Sequence, residues 1–203
     1  MRATLAVPSG FCQSATSRQS RVEYREARTY NELYQVAGLI VRKYFEHPDK
    51  LVPANDEATR LKMVATLNSY RVFGAYPPGS LEPRVTMSVV TQPILPMDHC
   101  FGDRLRQFRN GRVREVGKLA GTFSLRFIAT VLCKFAPDTD VFVSTVNECH
   151  LEHYMTFWGF NLLTPEPRAC GSANGAPGYG LYARAADIMN HPACRRVRQQ
   201  QFS

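Results

Sequence analysis

Apolar and polar positions along the chain change period often enough to mark most of its elements. Val22-Glu23-Tyr24-Arg25-Glu26-Ala27 alternates as a half-buried strand does. Thr29-Tyr30-Asn31-Glu32 then carries helix-start signals. Leu33, Val36, Ala37, Ile40 and Tyr44 recur at helical spacing until His47-Pro48 ends the run. Ala58 to Leu67 can form a second, shorter helix. Tyr70 to Tyr76 and Arg84 to Val90 read as two strands of an antiparallel hairpin, joined by a loop around Pro77-Pro78-Gly79-Ser80 that is too long for a tight turn. A basic segment follows, with a short helix expected around Phe101 to Phe108. Arg112 to Ala120 reads as the next strand. Thr122 or Ser124 can cap a helix that runs through Ala136, with Leu125, Ile128, Leu132 and Phe135 on one face and Pro137 as its stop.

The second half repeats the strand–helix alternation. Asp140 to Val146 is a strand, residues 148–158 a helix, and residues 160–163 a short strand. A Gly-rich loop spans Glu166 to Gly178, and Tyr179 to Arg184 is a final strand. Gly159 stands where a helix C-terminus favours a residue with positive φ. The expected organisation is a loose N-terminal arm over residues 1–20, one domain over 21–186 and a basic C-terminal tail over 187–203.

Composition narrows the classes. At 203 residues with 44% hydrophobic positions, the chain has enough material for one domain with its own core. No apolar run reaches the roughly 18 residues of a membrane span, and the N-terminus is too short and broken for a signal h-region, so a cytoplasmic protein is expected. The cysteines at 12, 100, 133, 149, 170 and 194 are irregularly spaced and include no C-x-x-C pair, which argues against a zinc ribbon and a disulfide scaffold. Cys149-His150-x-x-His153 has metal-ligating residue types, but no second ligand cluster accompanies it in sequence, and the expectation is no metal. A formal net charge of +8, with Arg104, Arg106, Arg109, Arg112 and Arg114 close together, favours an anionic partner. An acidic carrier protein, nucleic acid or peripheral contact with an anionic membrane all qualify. No zinc spacing, helix-turn-helix or ribonucleoprotein aromatic motif supports nucleic acid, which is not expected.

Two segments carry a family resemblance. Val146-Asn147-x-x-His150-x-x-x-Tyr154-x-x-x-x-Gly159-Phe160 follows a strand, a polar turn and a helix as the second half of a GNAT acyltransferase core does. Leu95-Pro96-Met97-Asp98, and then Gly111-Arg112-Val113-Arg114-Glu115-Val116-Gly117-Lys118-Leu119-Ala120, resemble the N-acyl amino acid synthases, GNAT-fold relatives of the acyl-homoserine-lactone synthases. The resemblance covers about residues 24–184. It implies an α/β (α+β) fold with a mixed, mostly antiparallel sheet, splayed central strands and flanking helices. It implies an acyltransferase that joins a long-chain fatty acyl group, carried on acyl carrier protein, to an amino acid's amine. Two departures matter. Trp158 is the only tryptophan, so the N-terminal Trp of the homoserine-lactone enzymes is missing. Lys118-Leu119-Ala120-Gly121-Thr122-Phe123 matches only the first half of the usual phosphate loop, which shifts weight from free acyl-CoA to a carrier-bound phosphopantetheine. The alternatives are a GNAT acting with acyl-CoA on another amine, or a non-catalytic basic binding module.

The resemblance also assigns roles. Forming an amide from a thioester needs a deprotonated amine, a polarised carbonyl and a protonated leaving sulfur. Glu115 is the base candidate, sharing a strand face with Val113 and Gly117, and Tyr154 is the candidate proton donor to sulfur. Lys118 either pairs with Glu115 or binds a substrate carboxylate. Gly117 lets an acyl-pantetheine lie between the strands at 112–120 and 140–146. Gly121, Thr122 and Ser124 open the next helix as an anion site, Asn147 shapes the turn into the following one, and Arg106, Arg109 and Arg112 are the candidate carrier surface. Phe73, Val85, Met87, Val89, Phe123, Phe127 and Phe142 are candidate walls for the acyl chain and equally good core residues.

Overall fold

A computed structural model of the chain describes residues 22–170 and 175–201. The expected arm over residues 1–20, its arginines and part of the Gly-rich loop lie outside them. Eight strands form the sheet: β1 (Glu23–Ala27), β2 (Arg71–Tyr76), β3 (Val85–Val90), β4 (Val113–Gly121), β5 (Val141–Val146), β6 (Asn161–Leu162), β7 (Arg168–Ala169) and β8 (Pro177–Arg184). Their order is β1-β2-β3-β4-β5-β8-β6, with β7 pairing β8. The pairings are antiparallel except at the centre, where β4 and β5 run parallel. The sheet is thus mixed and mostly antiparallel, as the resemblance implied.

Among the described residues, seven α-helices flank it: α1 (Tyr30–Glu46), α2 (Glu57–Leu67), α3 (Asp98–Leu105), α4 (Leu125–Phe135), α5 (Glu148–Glu152), α6 (Ala185–Asn190) and α7 (Pro192–Gln201). Thr29 opens α1 with a capping box, its side chain accepting from Glu32 N–H while the Glu32 carboxylate accepts from Thr29 N–H. Ser124, the second of the two candidate caps, accepts from Phe127 N–H at the start of α4. The strongly apolar face of α4 buries Phe127, Ile128, Val131, Leu132 and Phe135 against one side of the sheet. α1 and α2 cover the other side beside β1 and β2, and α3 covers it beside β5.

The C-terminal segment corrects one expectation. Residues 187–203 read as a basic tail, yet the chain is helical through Gln201. Ala193, Cys194 and Val197 are buried in the α4 side of the core, and the Cys133 thiol lies 3.7 Å from Cys194 O. The arginines of α7 project from a helix whose other face completes that core.

Candidate active site

The site begins with a defect in β4. In the β3–β4 ladder, Thr86 stands opposite Ala120 and Ser88 opposite Gly117, so Met87 faces two residues, Lys118 and Leu119. This is a β-bulge, and Lys118 takes φ +50 to make it. The parallel ladder to β5 runs from Val113 opposite Val141 to Glu115 opposite Val143 and stops there. Beyond that point β5 pairs only with β8. The sheet therefore splays next to Gly117, as expected from the resemblance. The Ser144 hydroxyl donates to Val116 O at 2.9 Å and satisfies the carbonyl where the ladder ends.

Glu115 lies at the apex of this split. Its side chain is buried, and its carboxylate accepts a hydrogen bond of 2.9 Å from Met97 N–H. Burial raises its pKa to about 7, against the lowering effects of the Met97 bond and the Lys118 charge. Lys118 is half-buried, and desolvation holds its pKa below that of an ordinary lysine although the Glu115 charge opposes this. The two make no ion pair within bonding distance among the described residues. The Lys118 ammonium instead stands 5.7 Å from the centre of the Tyr44 ring.

Two cavities meet here. The first is lined by Glu115, Gly117, Lys118, Tyr70, Met97 and Asn147. The second occupies the split itself and encloses about 1080 Å³, including the space open to solvent. Its lining includes Lys118, Gly121, Phe123, His150, His153 and Tyr154. Tyr44, Leu51, Gly117, Lys118, Thr145 and Asn147 line both, so a molecule in the split reaches the Glu115 side without crossing packed core. A smaller apolar pocket, about 320 Å³ with the space open to solvent included, continues behind Tyr154, between Leu119, Phe123, Ile128, Leu132 and Trp158.

Tyr154 enters this space from a π-helical turn, His153–Phe157, that follows α5. Such turns widen a helix by one residue and are frequent at functional sites. The turn ends at Trp158 and Gly159, whose φ of +71 fulfils the expectation for that glycine, and Phe160 N–H returns to Tyr154 O at 3.1 Å. Burial raises the Tyr154 pKa to about 12, so its hydroxyl stays protonated at neutral pH. His153 lines the same space, and its buried Nε2 finds no partner among the described residues.

Other candidate residues fall differently. Gly121 has φ +100, and a Cβ there would come within 2.1 Å of Arg84 O. Thr122 N–H donates to that same carbonyl at 2.8 Å and is not free for an anion. Ser124 acts as a helix cap. Asn147 faces both cavities, and its amide donates to Pro177 O at 3.3 Å. Arg106, Arg109 and Arg112 lie before the start of β4, at the opposite end of that strand from the split. Arg109 is engaged by Asp98 and Pro93 O, and Arg112 by Asp140 at 3.1 Å. Arg42, Lys43 and Arg84 stand beside the split, around a shallow polar pocket that includes Gly121 and Thr122; Arg42 pairs with Glu82 at 2.9 Å and Lys43 with Glu46 at 2.6 Å. Of the candidate acyl walls, Met87 and Phe123 line the apolar pocket and Val85 the split, whereas Phe73, Val89, Phe127 and Phe142 are core. Tyr44 and His47 escaped the sequence reading because helical spacing marks a tyrosine as core and gives a histidine no direction.

Comparison with known proteins agrees with this geometry. The family model for N-acyl amino acid synthase FeeM matches residues 35–184. No curated protein sequence matches the chain. Among solved structures, FeeM, an N-acyl amino acid synthase from uncultured soil microbes, superposes with a TM-score of 0.70 at 17% identity, over 87% of this chain and 98% of that one. The AHL synthase LasI gives 0.54 at 11% identity, over 82% and 91%. An N-acetyltransferase from Staphylococcus aureus Mu50 gives 0.55 at 10% identity, over 82% and 99%. At these identities the structural likenesses establish a GNAT-like fold, and the family model establishes kinship. This chain belongs to the N-acyl amino acid synthase FeeM family and is an N-acyltransferase.

Proposed function

We propose that the protein transfers a long-chain fatty acyl group from the phosphopantetheine of acyl carrier protein to the amine of an amino acid. The observation that carries this reading is the split beside Gly117, with a buried carboxyl on one side and an apolar pocket on the other. β4 past Glu115 has one edge free of β5. Its backbone groups can bond the amides of an extended pantetheine as a neighbouring strand would. The acyl chain then extends into the pocket behind Tyr154, and the amine approaches from the Glu115 cavity.

In this reading Glu115 accepts the proton of the attacking ammonium or amine, directly or through a water. A carboxylate near 7 is matched to that task at neutral pH. Tyr154, still protonated, donates to the departing sulfur. Lys118, a half-buried cation with no carboxylate bonded to it among the described residues, is suited to the carboxylate of the amino acid. The carrier approaches Arg42, Lys43 and Arg84 at the mouth of the split rather than Arg106, Arg109 and Arg112, because the latter sit at the far end of β4.

The test is to incubate the purified protein with long-chain acyl-loaded carrier protein and a mixture of amino acids, and to identify products by mass spectrometry. N-acyl amino acids should form, and the apparent affinity for the carrier should weaken as salt screens the contact. Equal use of acyl-CoA with no salt effect on the carrier would overturn the choice of donor. Acylation confined to amines other than amino acids would overturn the acceptor.

A further inference from the structure

At the lip of the split lies a side-chain cluster that the proposed acyl transfer does not use. His47 caps the C-terminus of α1, and Cys149 and His150 stand in the first turn of α5. One nitrogen or sulfur atom from each of the three lies within 4.8 Å of the other two. His47 Nε2 is 3.3 Å from Cys149 Sγ, and the two imidazole centres are 6.0 Å apart. Around a tetrahedral zinc with bonds of about 2.0–2.3 Å, neighbouring ligand atoms stand roughly 3.3–3.8 Å apart, so small side-chain rotations suffice to converge these three. All three are exposed or half-buried, which leaves an approach path from solvent.

We propose that His47, Cys149 and His150 form a divalent-metal site, with zinc as the preferred ion. Two imidazoles and a thiolate are borderline-soft donors of the kind zinc takes, and three protein ligands leave a fourth position for water or another donor. The Asp49 carboxylate, 3.7 Å from His47 Nδ1, supports this. Without a metal, Nδ1 accepts from Asp49 N–H at 3.2 Å and is bare. A metal on Nε2 reverses the tautomer: Nδ1 takes the proton, gives up the Asp49 N–H and turns to that carboxylate, the arrangement that commonly orients a metal-bound histidine. Binding exchanges the thiol proton for the metal bond, so one proton is released to solvent from Cys149. The ion would tie the end of α1 to the start of α5, two elements joined here across 102 residues of chain.

The test uses the full reduced chain and cobalt(II) as a spectroscopic stand-in, followed by displacement with zinc. One equivalent should give thiolate-to-cobalt charge-transfer absorption and the intense visible bands of a tetrahedral centre. Cys149→Ser should abolish the charge-transfer band. His47→Gln and His150→Gln should each weaken zinc binding by at least about 100-fold, since even losing an outer partner costs about 10–100-fold. Melting of each metal-free variant at the wild-type temperature confirms that the fold is intact, and zinc should raise the melting temperature of the wild type only. A charge-transfer band that survives Cys149→Ser, unchanged affinity in His47→Gln, or no stoichiometric binding by the wild type would each overturn the site. None of these readouts depends on acyl transfer.

Discussion

Glu115 should be a liability to the fold and an asset to the chemistry, so one substitution can separate the two. Burial holds its carboxyl at about 7 against an ordinary 4.5. Between those values the folded protein retains a proton that the unfolded chain has released. Stability therefore falls as pH rises through this window and levels off above about 7. At about 1.36 kcal/mol per pH unit, ionising Glu115 costs the native state about 3 kcal/mol. Glu115→Gln cannot ionise, and its amide oxygen can still accept from Met97 N–H. The unpaired amide NH₂ adds a cost of about 1–3 kcal/mol, but one that does not vary with pH. The stability difference between variant and wild type should accordingly shift in the variant's favour by about 3 kcal/mol from about pH 4.5 to about pH 8. For a chain of this length that is roughly 6–12 °C in melting temperature. Urea unfolding of both proteins across this range measures it. A difference that stays constant with pH would refute the buried, proton-poised carboxyl.

Three further outcomes follow from the geometry. Gly121→Ala places a Cβ against Arg84 O at positive φ, so it should destabilise the protein by about 1–3 kcal/mol or more and weaken donor binding, read by thermal melts and donor KM. Tyr154→Phe removes the proton offered to sulfur while keeping the ring packed on Phe160; it should slow single-turnover transfer by less than Glu115→Gln does, because a thiolate is a tolerable leaving group, with stability within about 1 kcal/mol of wild type. Val197→Asp buries a carboxylate between α7 and α4 and should cost at least about 2 kcal/mol in urea unfolding, whereas a peripheral tail would tolerate it.

The strand β4 was readable because alternation assigns Val113, Glu115 and Gly117 to one face without any knowledge of the partner strands. Helix α1 was readable because Thr29 and Glu32 state its start locally. The bulge was not, since nothing in the residues marks Lys118 for positive φ; the conformation is imposed by the offset between β3 and β4. Nor was the role of α7. Only Ala193, Cys194 and Val197 of that segment are apolar and buried, too few to stand out among its arginines. Arg109 and Arg112 read as free charge because Asp98 and Asp140, 11 and 28 residues away, are joined to them only by folding. His47 meets Cys149 for the same reason, which is why the metal-ligating residues looked incomplete in sequence.

The role of Glu115 as the base is tested most directly by the pH dependence of single-turnover amide formation from preloaded acyl carrier protein, in wild type and in folded Glu115→Gln. The wild-type rate should rise with pH through about 7, as the Glu115 carboxyl loses its proton. The variant should lose this limb and run about 10²–10⁴-fold slower while still binding the loaded carrier. A folded Glu115→Gln protein that keeps both the rate and the limb would contradict the assignment of Glu115 as the base.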